Sequence, residues 1–163
     1  MIVLGIDPGT AVTGYGIVGG DGPPFTLLEC GVVRTTSSVP LATRLLEIHD
    51  GVAALIARHR PAALAVEDVF YARNVRTALV LGHARGVVLL AAEQAGITVA
   101  EYPPAEIKKA VTGTGAASKA QVQFMVAQLL RLRTAPQPSD AADGIAAALT
   151  YLMSSPLRVA RIG

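Results

Sequence analysis

Four acidic residues hold the chemistry most easily read from this sequence. Asp7 follows an apolar run at 2–6, and Glu67 follows another at 62–66. Asp140 and Asp143 stand three residues apart at the start of a helical segment, so on a helix they point the same way. Counting by twos along the strands puts Asp7 on the face of Val3 and Gly5, and Glu67 on the face of Ala63 and Ala65. Both carboxylates therefore end apolar strands beside small side chains, at the strand ends where open α/β sheets bind ligands. Carboxylates that meet there repel unless a cation or a shared proton neutralises them. An all-oxygen set suits hard cations such as magnesium or manganese. Held on such a set, two metal ions suit phosphodiester hydrolysis: one activates the attacking water and the other stabilises the leaving oxygen.

Each residue also has a plainer role open to it. Asp140 and Asp143 complement a helix dipole, and Asp140 suits an N-cap. Asp7 precedes Pro8-Gly9, where a turn aspartate is common. Glu67 is harder to explain so, because an unpaired carboxylate ending a buried strand is costly. Asp68 faces the other way, as a surface or turn charge. His49, His59 and His83 have no ligand spacing with one another or with Cys30, which disfavours zinc.

The elements that must position these groups follow from periodicity. Apolar stretches at 2–6, 12–18 and 25–34, joined by short Gly/Pro turns, predict an antiparallel three-strand meander. Leu41, Leu45, Ile48, Val52, Leu55 and Ile56 then step by three and four, predicting a helix that Pro61 stops. A strand at 62–66, a basic loop at 73–76, a helix to Gln94 and a strand at 96–102 follow. A second helical stripe runs through Val122, Met125, Val126, Leu129 and Leu130, and a last helix spans 140–153. A strand–helix–strand crossover sets the first and fourth strands parallel and adjacent. The expected architecture is α/β: a five-stranded mixed sheet, three antiparallel strands and then parallel ones, flanked by helices. We expect one domain over residues 1–163, with the last ~10 residues a loose tail.

Composition narrows the class. Of 163 residues 52% are hydrophobic and 16% charged, which excludes a chain that is as a whole a disordered tail or an acidic solvating segment. One cysteine forms no internal disulfide and fits a reducing compartment. No uninterrupted apolar run approaches the roughly 18 residues of a membrane span, and no secretory signal is visible. The expectation is a cytoplasmic protein with no membrane partner. Its formal charge is only +2, yet between Phe70 and Thr134 basic residues outnumber acidic ones eight to three. Phe70, beside Tyr71 and ahead of the basic loop, fits a stacking platform for unpaired bases, or equally a cap on the core. Lys119, near the start of a helix, is placed to meet phosphate or developing negative charge, or to be solvated.

The ordered motifs carry a resemblance. Ile6-Asp7-Pro8-Gly9-Thr10 and Thr13-Gly14-Tyr15-Gly16 open the chain; Glu67-Asp68-Val69-Phe70 and Gly82-His83-Ala84-Arg85-Gly86-Val87 follow. Ser118-Lys119-Ala120-Gln121-Val122-Gln123 and Asp140-Ala141-Ala142-Asp143 complete the set. In that order, over roughly residues 2 to 153, they resemble the RuvC-type Holliday junction resolvases. The resemblance implies an RNase H-like fold, a homodimer, and magnesium-dependent cleavage of four-way DNA junctions by paired nicks. A branch-migration motor is the further partner it implies. It assigns Asp7, Glu67, Asp140 and Asp143 as catalytic carboxylates binding two Mg2+ ions, with Mn2+ able to substitute. It sets Phe70 against junction bases and Lys108 and Lys119 near the scissile phosphate. Tyr71, Arg73, Asn74, Arg76 and Lys109 complete the expected DNA contacts, and spacing does not separate Lys108 from Lys109. Asp68 departs from the glutamine that some family members carry.

Other classes fit less well. The segment Gly113–Lys119 superficially looks like a phosphate loop but lacks the glycine before the lysine and the hydroxyl residue after it. The Asp-x-Gly-Thr hairpin also opens sugar kinases and actin-like ATPases, but those close two lobes around a nucleotide, and 163 residues supply one. A non-catalytic junction-binding module needs no carboxylate cluster. An RNase H-like nuclease acting on RNA would keep the acids without accounting for Phe70.

Overall fold

The computed structural model describes residues 1–68 and 74–158, with side chains as far as Ser154. Three strands come first, β1 (Ile2–Asp7), β2 (Val12–Gly19) and β3 (Thr26–Arg34), each antiparallel to the last. Helix α1 (Leu41–His59) crosses to β4 (Ala63–Glu67), and α2 (Val75–Gln94) crosses to β5 (Thr98–Tyr102). Both crossovers return parallel strands, giving the order β3-β2-β1-β4-β5. Three helices close the chain: α3 (Pro104–Thr112), α4 (Lys119–Leu129) and α5 (Ser139–Arg158).

Strand alternation sorts the core into two layers. Leu4, Ile6, Ile17, Leu64 and Val66 are fully buried on one face, against Ile48, Val52 and Leu55 of α1 and Val88 of α2. Val3, Ala65 and Tyr102 face the other way, onto Ile145 and Leu149 of α5 and Ile107, Val122 and Val126 of α3 and α4. Burial of side chains like these is worth about 1.5–3 kcal/mol each. Of the α1 stripe Ile48, Val52, Leu55 and Ile56 are buried and Leu41 and Leu45 only partly so, and α1 ends where Arg60 turns left-handed (φ 46) and its N–H reaches the Ile56 carbonyl, just before Pro61.

Helix α5 lies directly on the sheet. A Cβ on Gly5 would sit 2.0 Å from the Gly144 carbonyl oxygen, and one on Gly14 would sit 1.9 Å from the Asp140 carbonyl oxygen. No side chain fits at either place, so glycine on β1 and β2 brings the backbone of α5 into contact with the sheet.

Several boundaries differ from the periodicity reading. Strand β4 runs through Glu67, because the β5 ladder continues to Tyr102 opposite it. Helix α2 begins at Val75, so Arg76 belongs to its first turn and not to a loop; Asn74 caps it, its Oδ1 accepting the Thr77 N–H at 2.9 Å. Helix α3 goes unseen when Pro103-Pro104 is taken only as a strand stop. Proline at the first helical position, Ile107 and Val111 four apart, and left-handed Gly113 (φ 88) are its signals. Helix α5 continues to Arg158, past the expected end near Met153; the last five residues lie outside those described.

Helix α2 also qualifies the hydropathy expectation. Its runs break at His83 and Arg85, yet an 18-residue window averages a mean hydropathy of 1.4. Ala84, Val88, Ala91 and Ala92 are buried on one side, while Val75, Leu79 and Leu90 are exposed on the other.

Candidate active site

The parallel pairing of β1 with β4 sets Ile6 opposite Val66, so Asp7 and Glu67 follow side by side on the α5 face. The turn after Asp7 is locked by buried Thr13, whose Oγ1 donates to the Gly9 carbonyl at 2.7 Å and accepts the Gly9 N–H at 3.3 Å. From above, the first two turns of α5 lower Asp140 and Asp143 toward the same point. Carboxylate oxygens of Asp7, Asp140 and Asp143 lie within 4.8 Å of one another, and Glu67 lies beside Asp7, close enough for the two to share a proton.

Beside the cluster opens a cleft of about 310 Å³. Asp7, Glu67 and Asp143 line one part of it, Lys108 and Lys119 another, with Ile107 and Val122 as the apolar wall. Lys119 Nζ lies 3.0 Å from Asp143 Oδ2. It is the first residue of α4, fixed by a capping box in which Ser118 accepts the Gln121 N–H at 3.2 Å and Gln121 accepts the Ser118 N–H at 2.7 Å. The Ser-x-x-Gln spacing is the sequence signal for that arrangement.

The electrostatics record the crowding. Burial, then Glu67 and Asp143, push the Asp7 carboxyl up from 3.8 to about 8. Burial likewise raises Glu67, against the proton it shares with Asp7 and against the two lysines. Asp143 rises through burial although Lys119 opposes it, and the hydrogen bond to Asp143 holds the Lys119 ammonium above its usual value. One lysine in contact does not balance four carboxylates. The donor set, oxygen-only and short of positive charge, fits a hard divalent cation.

The structure separates the two adjacent lysines: Lys108 lines the cleft, while Lys109 is exposed and does not. Arg76 is exposed and away from the cleft lining, and the Asn74 side chain is engaged in its cap. Phe70, Tyr71 and Arg73 lie outside the described residues. Asp68 does turn to the opposite face, where it meets Arg85.

A family model described as crossover junction endodeoxyribonuclease RuvC matches residues 3–151. The chain belongs to the RuvC family. A RuvC from Halorhodospira halophila is 55% identical over 163 residues, covering 99% of this chain and 96% of the relative. One from Pelotomaculum thermopropionicum is 50% identical, covering 93% of this chain and 92% of its own. Among solved structures, Thermus thermophilus RuvC in complex with Holliday junction substrate superposes with a TM-score of 0.91 at 41% identity, covering 95% and 94% of the two chains. The mixed sheet with helices on both faces is thus the RuvC version of the RNase H-like fold.

Proposed function

We propose that this chain is an endodeoxyribonuclease that resolves four-way DNA junctions by paired, metal-dependent phosphodiester hydrolysis. The convergence of Asp7, Asp140 and Asp143 oxygens within 4.8 Å, beside Glu67 and two lysines in one cleft, carries the proposal. Family membership and a relative solved on a Holliday junction supply the substrate. Asp7, Glu67, Asp140 and Asp143 would hold divalent metal, Mg2+ with Mn2+ as substitute, as two ions. When bound, such ions supply an activated water and stabilise the leaving oxygen. The protein's own groups do the rest. The carboxylates would hold the metal at the ends of β1 and β4, and Lys119, with Lys108, meets the charge that builds on the reacting phosphate. Phe70, Tyr71, Arg73, Asn74, Arg76 and Lys109 bind the arms, through phosphates and stacked bases. Such binding weakens as salt rises. We infer a single nuclease domain working on chromosomal DNA in the cytoplasm, with a branch-migration motor as partner.

Incubating the protein with a labelled junction and an equal-length duplex, with and without Mg2+, tests the proposal. Paired, metal-dependent nicks in the junction alone are expected; equal cutting of the duplex would overturn junction selectivity. Replacing Lys119 by Met is expected to slow cleavage roughly 100-fold. It should also move the rising limb of the pH–rate profile upward, because Asp143 loses the ammonium that favours its ionised form. An unmoved profile would separate Lys119 from Asp143.

The homodimer has a physical basis in α2. Val75, Leu79, Gly82, Gly86 and Leu90 recur at helical spacing on its outer side, with Val75 76% and Leu79 61% exposed. A Cβ added at Gly82 or Gly86 would meet nothing within 4 Å, so a facing helix has room to approach closely. A two-fold dimer through this stripe would match the symmetry of a four-way junction. Leu79→Glu is expected to weaken the dimer by at least about 30-fold, ~2 kcal/mol, with the fold intact. Sedimentation equilibrium reads the first and circular dichroism the second; an unchanged dimer constant would place the interface elsewhere.

A further inference from the structure

Arg85 joins two acidic side chains behind the cleft. By strand alternation Asp68 and Glu101 both point to the α2 side of the sheet, and Glu101 pairs with Val66, so the two carboxylates are diagonal neighbours on parallel strands. Arg85 Nη2 lies 3.4 Å from Asp68 Oδ1 and in direct contact with Glu101 Oε2. Its side chain is only 20% exposed, and Nε is buried with no hydrogen-bond partner among the described residues. An arginine with one donor left unsatisfied is held there by its two carboxylates and not by a full set of hydrogen bonds. Asp68 is in turn tied to β5, its N–H donating to the Tyr102 carbonyl at 2.8 Å. One peptide bond before Asp68, on the opposite face, is Glu67.

We propose that Arg85 is a positioning residue for the cleavage reaction, clamping Asp68 to Glu101 so that the end of β4 holds the Glu67 carboxylate against Asp7. This rests on the nuclease reading of the acidic cluster. Without the guanidinium the two carboxylates repel across adjacent strands, and the strand end that relaxes is the one bearing Glu67. Small displacements of a reacting group are costly in rate, which lets a residue on the far face of the sheet control the cleft. Arg85 sits on the same helix as the exposed Val75–Leu90 stripe, so the clamp also ties that helix to the acidic end of β4.

The test uses the full chain under single-turnover conditions at saturating enzyme, with junction Kd and melting temperature measured alongside. Arg85→Met is expected to cut about 10- to 100-fold more slowly, as partners behind first-line ligands do, with Kd unchanged. Adding Asp68→Asn and Glu101→Gln to that variant removes the repulsion and is expected to restore most of the rate. Arg85→Lys, which keeps the charge but lacks the fork that spans two carboxylates, should fall between. A wild-type rate in Arg85→Met, or a triple variant as slow as the single one, overturns the clamp. So does a loss confined to Kd, which would make Arg85 a phosphate contact. Should Arg85→Met not fold, a folded Arg85→Lys with an undiminished rate also overturns it. A wild-type chain that cuts no junction would instead overturn the nuclease reading itself.

Discussion

Asp7→Asn is expected to abolish junction cleavage, with a loss of roughly 10³-fold or more, while junction binding persists. The substitution keeps the shape of the side chain and removes the charge at the centre of the cluster, where Asp140, Asp143 and Glu67 converge. Binding persists because phosphate contacts come from basic groups that this change leaves alone. A second effect runs the other way. Burial and its acidic neighbours raise the folded carboxyl from 3.8 to about 8, so the folded state binds the Asp7 proton more tightly than the unfolded chain. The stability this contributes is fully present below the unfolded value and is lost as pH rises through the folded one. In chelator, therefore, the wild-type protein should lose stability between pH 3.8 and about 8, by an amount on the order of a few kcal/mol. Asp7→Asn should escape that loss and melt roughly 5–10 °C higher than wild type at the alkaline end. Added Mg2+ should raise the melting temperature of the wild type more than that of the variant, because a ligand stabilises only the state that binds it. Cleavage at wild-type rate by the variant, or a lower melting temperature in chelator, would remove Asp7 from the centre of the site.

How much of this was legible in the sequence depended on whether a residue's place follows from its own element. Asp7 and Glu67 were readable because period-two alternation fixes a side chain's face and the crossover rule makes β1 and β4 neighbours. Asp140 and Asp143 were readable because i, i+3 spacing puts them on one helical face. Lys108 was not separable from Lys109, because only the packing of Ile107 and Val111 decides which of two consecutive lysines turns to the cleft. Helix α3 was hidden for a related reason: nine residues give too few turns for a clear apolar stripe. The Arg85 clamp could not be seen because it joins three elements, and local spacing says nothing of contacts between a helix and two strands. For the exposed stripe on α2, sequence alone does not tell an outer face from a buried one.

Glycine was the least legible of all, and it carries the second large expectation. Gly14 reads as part of a strand of mixed apolar residues, yet a Cβ there would lie 1.9 Å from the Asp140 carbonyl oxygen and 3.1 Å from the Asp140 Cβ. The obstruction is mostly backbone, so no rotamer change relieves it; either β2 or the first turn of α5 must move. Gly14→Ala is therefore expected to cost about 1–3 kcal/mol or more. By lifting Asp140 and Asp143 away from Asp7 it should also slow cleavage by roughly 100-fold or more. Gly5→Ala separates the two effects. Its Cβ would meet the Gly144 carbonyl oxygen at 2.0 Å and the Ala148 N at 2.5 Å, further along α5 than Asp140. It should destabilise comparably in urea melts but reduce the rate less, provided both variants are assayed well below their transitions. Gly19→Ala supplies the baseline, since its nearest neighbour is a Leu28 methyl at an ordinary 3.7 Å. If Gly14→Ala loses stability but keeps its rate, the acidic cluster tolerates movement of α5, and the close packing serves the core alone. If it loses rate in excess of Gly5→Ala, the two small residues on β1 and β2 have different functions. In that case Gly5 would let the helix lie on the sheet, and Gly14 would set the spacing of the three aspartates in the acidic cluster.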